Sequence, residues 1–292
     1  MATKVHAARA ALFAAVTGVL GTLGALIVVA AAVNAQPASP RIYNTVIEKL
    51  EAGRQVVGGT IVTSDPEIYC AMANAGYDFL WIEMQHSPLT YQEVARMIWA
   101  CRGAPAIPFI RVPDATPGDI QKATDIGALG IIVPLVETIE EARDTVKYAK
   151  YPPEGLRSLG NGQYRALWGD DYRATANANI MVVAMIESPA GVAIADGIAT
   201  VPGVDVVFAA STDLGSFSGL SQGDELYEQL VSEIADATLS AGRYLGGPQA
   251  WMNRDGFKFF QGPPEPTLIR LGVQESLRAT PRGVAPTEGG RE

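Results

Sequence analysis

The sequence predicts a (β/α)8 barrel. Eight short apolar runs recur between residues 56 and 273, amphipathic segments with helix-start signals stand between them, and each run is too short to be a helix. Runs that stay apolar on consecutive residues belong to strands buried on both faces, as in a parallel sheet covered by helices. One domain of this length closes such a sheet into a barrel. The doubly wound alternative has no G-x-G-x-x-G after its first strand.

The first run, VVGGTIV (56–62), precedes Ser64-Asp65-Pro66-Glu67. DFLWIE (78–83) precedes Thr90 with Glu93, AIPFIR (106–111) precedes Thr116-Pro117, and GIIVPL (130–135) precedes Thr138 with Glu141. A Ser, Thr or Asp cap followed by Pro or Glu satisfies the free amides of a first helical turn. IMVVAMIE (180–187) and DVVFAA (205–210) are the fifth and sixth runs, and the longest helix is expected over about 224–241. RYLGG (243–247) is a glycine-rich seventh strand, and TLIRLGV (267–273) supplies the eighth. The loop 157–179, with Arg157, Tyr164, Arg165 and Trp168, is long enough to be a lid over the mouth or an insertion packed between subunits.

Residues 1–35 differ from the rest. Lys4 and Arg9 precede an uncharged stretch from Ala11 to Val33 that ends in the small residues of an A-x-A-like cleavage position. That order predicts an export signal, and the apolar length leaves an uncleaved membrane anchor as the alternative. Both readings put the folded part outside the cytoplasm, periplasmic or secreted. Residues 36–44, opening QPASPR, read as a linker, residues 45–278 as the domain, and residues 279–292 as a flexible tail too polar to bury itself. The chain carries 22 Lys and Arg against 31 Asp and Glu, and two of those cations lie in the leader. No basic cluster remains that could neutralise a phosphate backbone, which excludes nucleic acid as a partner. Cys70 and Cys101 fit no zinc or redox spacing. They fall on the first two expected helices, where a disulfide and two free thiols both remain open.

In such a barrel the chemistry sits at the carboxyl ends of the strands. The second run leads through Glu83 and Gln85 to His86, the only histidine beyond the leader; the third ends at Arg111, the fifth at Glu187, and the sixth leads to Asp213. Glu187 and Asp213 offer hard oxygen ligands to a divalent cation, with water and substrate filling the remaining positions; an ion pair between Glu187 and Arg111 is the plainer alternative. A chelating oxo acid would place developing enolate charge beside that cation and Arg111, and His86 could move the accompanying proton. Schiff-base chemistry is disfavoured. Lys49 precedes the first strand, and Lys122, Lys147, Lys150 and Lys258 fall in expected helices. GSFSG (215–219) puts Phe217 where a serine hydrolase needs its nucleophile.

The stretches AGYDFLWIEMQHSP, IRVPD, LGIIVPLVETIEEAR, YPPEGLRSLG, MIESPAGV and DVVFAASTDLG together resemble the HpcH/HpaI aldolase family, metal-dependent class II aldolases of 2-oxo acids, over residues 45–278. The resemblance implies a barrel of the phosphoenolpyruvate/pyruvate-domain type. It also implies reversible aldol cleavage of a 4-hydroxy-2-oxo acid to pyruvate and an aldehyde through a metal-stabilised enolate, with Mg²⁺, Mn²⁺ or Co²⁺. By position it makes Glu187 and Asp213 the metal ligands, Arg111 the partner of the oxo group and His86 the acid/base histidine. The backbone of Ala210, Ser211 and Thr212 then lies near the substrate carboxylate. A homo-oligomer with exchanged terminal helices is also implied. Three features depart from the family pattern. Glu83-Met84-Gln85-His86 stands for Asp-x-Glu-His, so that Glu83 becomes a longer supporting carboxylate and Gln85 can bind a water without accepting its proton. Ala210-Ser211-Thr212 stands for Gly-Pro-Ala, and the leader is foreign to intracellular catabolic members. Two other readings therefore stay open: a related carbon–carbon lyase or decarboxylase with altered substrate, and an exported barrel that binds an oxo acid without turnover.

Overall fold

Eight parallel strands close on themselves in sequence order, with β1 bonded to both β2 and β8. They are β1 Val56–Ile61, β2 Phe79–Glu83, β3 Ile107–Arg111, β4 Gly130–Val133, β5 Met181–Ile186, β6 Val206–Ala209, β7 Tyr244–Pro248 and β8 Phe257–Pro264. The structure is a computed structural model that describes residues 39–279. The expected leader, and the expected tail beyond Ala279, lie outside the described residues. The helices are α1 Thr45–Glu51, α2 Pro66–Ala73, α3 Tyr91–Ala100, α4 Pro117–Asp125, α5 Ile139–Ala149, α6 Tyr164–Trp168, α7 Tyr172–Asn179, α8 Pro189–Val192, α9 Ala195–Ala199, α10 Ser211–Ser218, α11 Glu225–Ser240 and α12 Glu265–Ala279. Among the described residues no helix is long and apolar enough to cross a membrane.

The start signals fold as their chemistry dictates. Asp65 caps α2, Thr116 caps α4, and Thr90 and Thr138 form reciprocal capping boxes with Glu93 and Glu141. The eighth strand is a correction. TLIRLGV lies inside α12, and the strand is FKFFQGPP at 257–264. Lys258 is accordingly on β8 rather than on a helix. Its Nζ donates to Gly53 O, ahead of β1 and so at the foot of the barrel, which leaves the mouth without a lysine from that strand.

Two matching clamps hold the foot. Asp78 donates its amide to Val57 O (2.9 Å) and accepts from Val57 N (2.7 Å), with Lys49 against its carboxylate. Asp205 does the same to Val182, at 2.9 and 2.8 Å. There the cation is the buried Lys150, whose Nζ donates to Asn177 O at 2.7 Å and to Ile180 O. Above the clamps Phe79, Phe109 and Phe259 pack across the interior, with Phe79 and Phe259 stacked at 4.4 Å. Gly130 is required there, because a Cβ would lie 1.8 Å from the Phe109 ring.

The chain divides between Pro40 and Arg41. Residues 41–44, read as the end of a linker, are tied to the domain. Arg41 donates to Asp171 at 2.6 and 3.0 Å, and the Tyr43 and Asn44 amides donate to Asn179 Oδ1. The segment read as either a lid or an insertion packed between subunits folds at the foot, which removes the lid reading. Trp168 donates to Gly127 O just before β4, Gln163 donates to Ile126 O, and Arg157 lies among Tyr151, Tyr164 and Tyr172 while paired with Asp125 at 2.9 Å. Cys70 and Cys101 are joined by a disulfide that ties α2 to the end of α3.

Candidate active site

Strand side chains alternate between interior and helices, so each inward column runs from an apolar residue to the one two positions on. The columns are Phe79, Trp81, Glu83 on β2; Phe109, Arg111 on β3; Met185, Glu187 leaving β5; Phe208, Ala210 leaving β6; and Phe259, Gln261 on β8. Several of these columns change from apolar to polar at the carboxyl end. There the barrel opens into a cavity of about 350 Å³ lined by His86, Arg111, Glu187, Ala210, Ser211, Thr212, Asp213 and Gln261, with Met185, Phe208 and Pro248 as its apolar wall.

Glu83, buried and paired in register with Arg111 across β2 and β3, is the anchor of one side. Its Oε2 accepts from Arg111 Nη1 (3.1 Å) and Trp81 Nε1 (3.2 Å); its Oε1 accepts from the Gln85 and His86 amides at 2.8 and 3.1 Å. The lengthened carboxylate thus fixes both the guanidinium and the loop that carries His86. Arg111 Nη2 lies 3.3 Å from His86 Nε2 and 3.8 Å from Glu187 Oε1, so the expected Glu187–Arg111 pairing is present but looser than the one Arg111 makes with Glu83. His86 itself is exposed at the rim.

Glu187 is 1 % exposed. Its Oε1 accepts from the Leu135 amide at 3.0 Å, while its Oε2 is buried without a partner. Burial pushes this carboxyl up to about 7, with Arg111 opposing and the neighbouring Asp213 adding to the rise. Asp213 lies in the first turn of α10. Ala210 caps that helix with no side-chain bond, so the first-turn amides of Ser211, Thr212 and Asp213 are free of intrahelical partners at the cavity wall.

Among the described residues no cluster of three or more His, Cys, Asp and Glu side chains has metal-binding geometry. Two neighbouring carboxylates are what the site offers. An orphaned, buried Oε2 beside a second carboxyl, facing a cavity with room for water and substrate oxygens, fits a hard divalent cation that takes only two protein ligands. The geometry brings together His86, Arg111, Glu187, Asp213 and residues 210–212, with Glu83 behind them. Gln85 is not among them: it lines a neighbouring cavity. Gln261, Met185, Phe208 and Pro248 were not read from the sequence. Gln261 lies within the true eighth strand, and reading FKFFQGPP as that strand would have marked it.

The profile of the HpcH/HpaI aldolase/citrate lyase family matches residues 61–248. A hydroxypyruvate/pyruvate aldolase of Roseovarius nubinhibens is 35 % identical over 213 residues, 71 % of this chain and 82 % of that protein. A 5-keto-4-deoxy-D-glucarate aldolase of Shigella boydii is 34 % identical over 171 residues, 58 % of this chain and 66 % of that one. Among solved structures, an HpcH/HpaI aldolase/citrate lyase family protein of Burkholderia cenocepacia matches at a TM-score of 0.74 and 27 % identity, covering 80 % of this chain and 98 % of its own. A structure described as the citrate synthase SbnG matches at 0.70 and 31 %, covering 79 % and 95 %.

Proposed function

The chain belongs to the HpcH/HpaI aldolase/citrate lyase family, and from that premise we propose that it is a metal-dependent class II aldolase, reversibly cleaving a 4-hydroxy-2-oxo acid to pyruvate and an aldehyde. The observation that carries this reading is the gathering of two adjacent carboxylates, a buried guanidinium and an exposed imidazole around one cavity at the barrel mouth.

Glu187 and Asp213 would hold the divalent cation, which when bound supplies positive charge beside the 2-oxo oxygen. The first-turn amides of α10 bind the substrate carboxylate, as the open end of a helix dipole favours an anion. Arg111, kept rigid by Glu83, faces the oxo oxygen and stabilises the charge that grows there. His86 takes the 4-hydroxyl proton as the C3–C4 bond breaks. The electron pair of that bond moves into the C2–C3 enolate, the aldehyde leaves, and a proton delivered to C3 gives pyruvate. The Glu-to-Gln change at position 85 falls outside this cavity, which supports turnover over binding alone.

The test is pyruvate release from a 4-hydroxy-2-oxo acid, with and without added metal. His86→Ala and Glu187→Gln are each expected to lower kcat/KM by roughly 100-fold or more. Activity that persists after chelation, or unchanged turnover in both variants, overturns the assignment. A second reading, a related carbon–carbon reaction on the same enolate, is favoured by the similarity to a structure described as a citrate synthase, and product identification separates the two.

Export belongs to the same proposal. The leader pattern of residues 1–35 and the Cys70–Cys101 disulfide both suit an oxidising compartment, and cell fractionation tests it. So does a homo-oligomer. Ile269, Leu271, Val273 and Leu277 on α12 are each more than half exposed, between 52 % and 54 %, an apolar surface that a second copy could cover.

A further inference from the structure

Beside the cavity that holds Glu187 and Asp213 lies a second one, of about 280 Å³, on the β3 and β4 side of the mouth. Its apolar wall comes from the turns after those strands, Pro113 and Leu135 among them, and its polar groups are Gln85, Asp114 and Glu141. The two cavities are neighbours through the residues that line them. Gln85 adjoins His86 in the chain, and Leu135, which lines the second cavity, donates its amide to Glu187 in the first. Leu135 adopts φ 49°, a left-handed backbone that a branched side chain rarely takes, so strain is tolerated for the sake of this placement.

Three observations define what would fit. Gln85 Oε1 is buried without a hydrogen-bond partner, an acceptor that lacks a donor. Asp114 and Glu141 each engage one carboxylate oxygen: Asp114 Oδ1 accepts from the Ala115 amide at 2.7 Å, and Glu141 Oε2 from the Glu137 and Thr138 amides at 2.9 and 3.0 Å. No Lys, Arg or His is among the residues lining the cavity. A tail ending in a carboxylate would meet two acids and no cation there, whereas hydroxyl groups would satisfy the free acceptors.

We propose that the second cavity receives the aldehyde half of the substrate and selects a neutral, hydroxylated aldehyde over one that carries a carboxylate, an inference that rests on the aldolase reading above. The test gives the full chain pyruvate, saturating Mn²⁺ and one of three aldehydes: D-glyceraldehyde, propanal or succinate semialdehyde. The readout is kcat/KM for aldol formation. Glyceraldehyde is expected to exceed each of the others by about tenfold or more, because a site built to bond a hydroxyl rejects the analogue without it. Gln85→Leu, similar in bulk but without the acceptor, should lower the glyceraldehyde-to-propanal ratio about tenfold. Asp114→Lys, at an exposed position, should raise the rate with succinate semialdehyde by about tenfold. Comparable use of glyceraldehyde and succinate semialdehyde by the wild type, or a ratio that folded Gln85→Leu leaves unmoved, overturns the proposal with the aldolase reading intact. If Gln85→Leu does not fold, Asp114→Lys decides: a gain supports the proposal and no gain overturns it. Absence of aldol product with every aldehyde removes the aldolase reading itself, and this proposal with it.

Discussion

Glu83 accepts four hydrogen bonds, from Trp81, Arg111, Gln85 and His86, all of them from the protein around it. Its work is to hold. Arg111→Ala would strip the cation from this buried carboxylate and should cost about 3–5 kcal/mol of stability, read by urea unfolding. A loss below about 1 kcal/mol would contradict that account. Glu187 gives a prediction in pH. Its carboxyl lies above the ordinary 4.5, at about 7, so the folded metal-free protein binds this proton more tightly than the unfolded chain does. The group's contribution to stability is therefore fully present below about pH 4.5 and is lost as pH rises through about 7. A cation competes for the same oxygens. Mn²⁺ should raise Tm more at pH 8 than at pH 5.5, and equal shifts would argue against Glu187 as a ligand. The sequence showed His86, Arg111, Glu187 and Asp213 because strand-end chemistry is one-dimensional: a polar residue closes an apolar run. It could not show that Gln85 faces a different cavity, or that Leu135 turns left-handed to reach Glu187. Both depend on how loops reverse.

At the scale of elements, α2 to α5 were legible because a cap is a local signal: an oxygen, then three amides that need it. Thr138→Ala should cost about 1 kcal/mol, measured as a shift in denaturation midpoint at constant m-value. The eighth strand was illegible for a physical reason. TLIRLGV is dense in aliphatic residues because α12 keeps apolar side chains on its exposed surface, and that density imitates a strand. FKFFQGPP ends in residues that normally stop one. The disulfide is an element-scale constraint. It closes a loop with a sequence separation of 31 around β2 and the His86 turn, and its reduction should cost about 3–4 kcal/mol by loop entropy. Melting curves with and without a reductant read that directly; an unchanged Tm would mean the bond does not constrain the unfolded chain.

At the scale of the molecule, closure of the sheet leaves no strand edge exposed among the described residues, and α12 carries four exposed apolar side chains, Ile269, Leu271, Val273 and Leu277, that we propose a second copy covers. Leu271→Glu should shift light-scattering mass toward a smaller species with helix and strand content unchanged. Unchanged mass would argue against a second copy on α12. The foot of the barrel holds a different message. Asp78 on Val57 and Asp205 on Val182 repeat one backbone clamp four strands apart, once under β1 to β4 and once under β5 to β8; Lys49 bonds the first carboxylate, and Lys150 acts on the second through its charge alone. The residues proposed for the chemistry divide along the same line. His86 and Arg111 come from the first half, Glu187 and Asp213 from the second. A half-barrel of either kind would own only the proposed proton carrier or the proposed cation seat, and it is the closed barrel that puts the two across one opening.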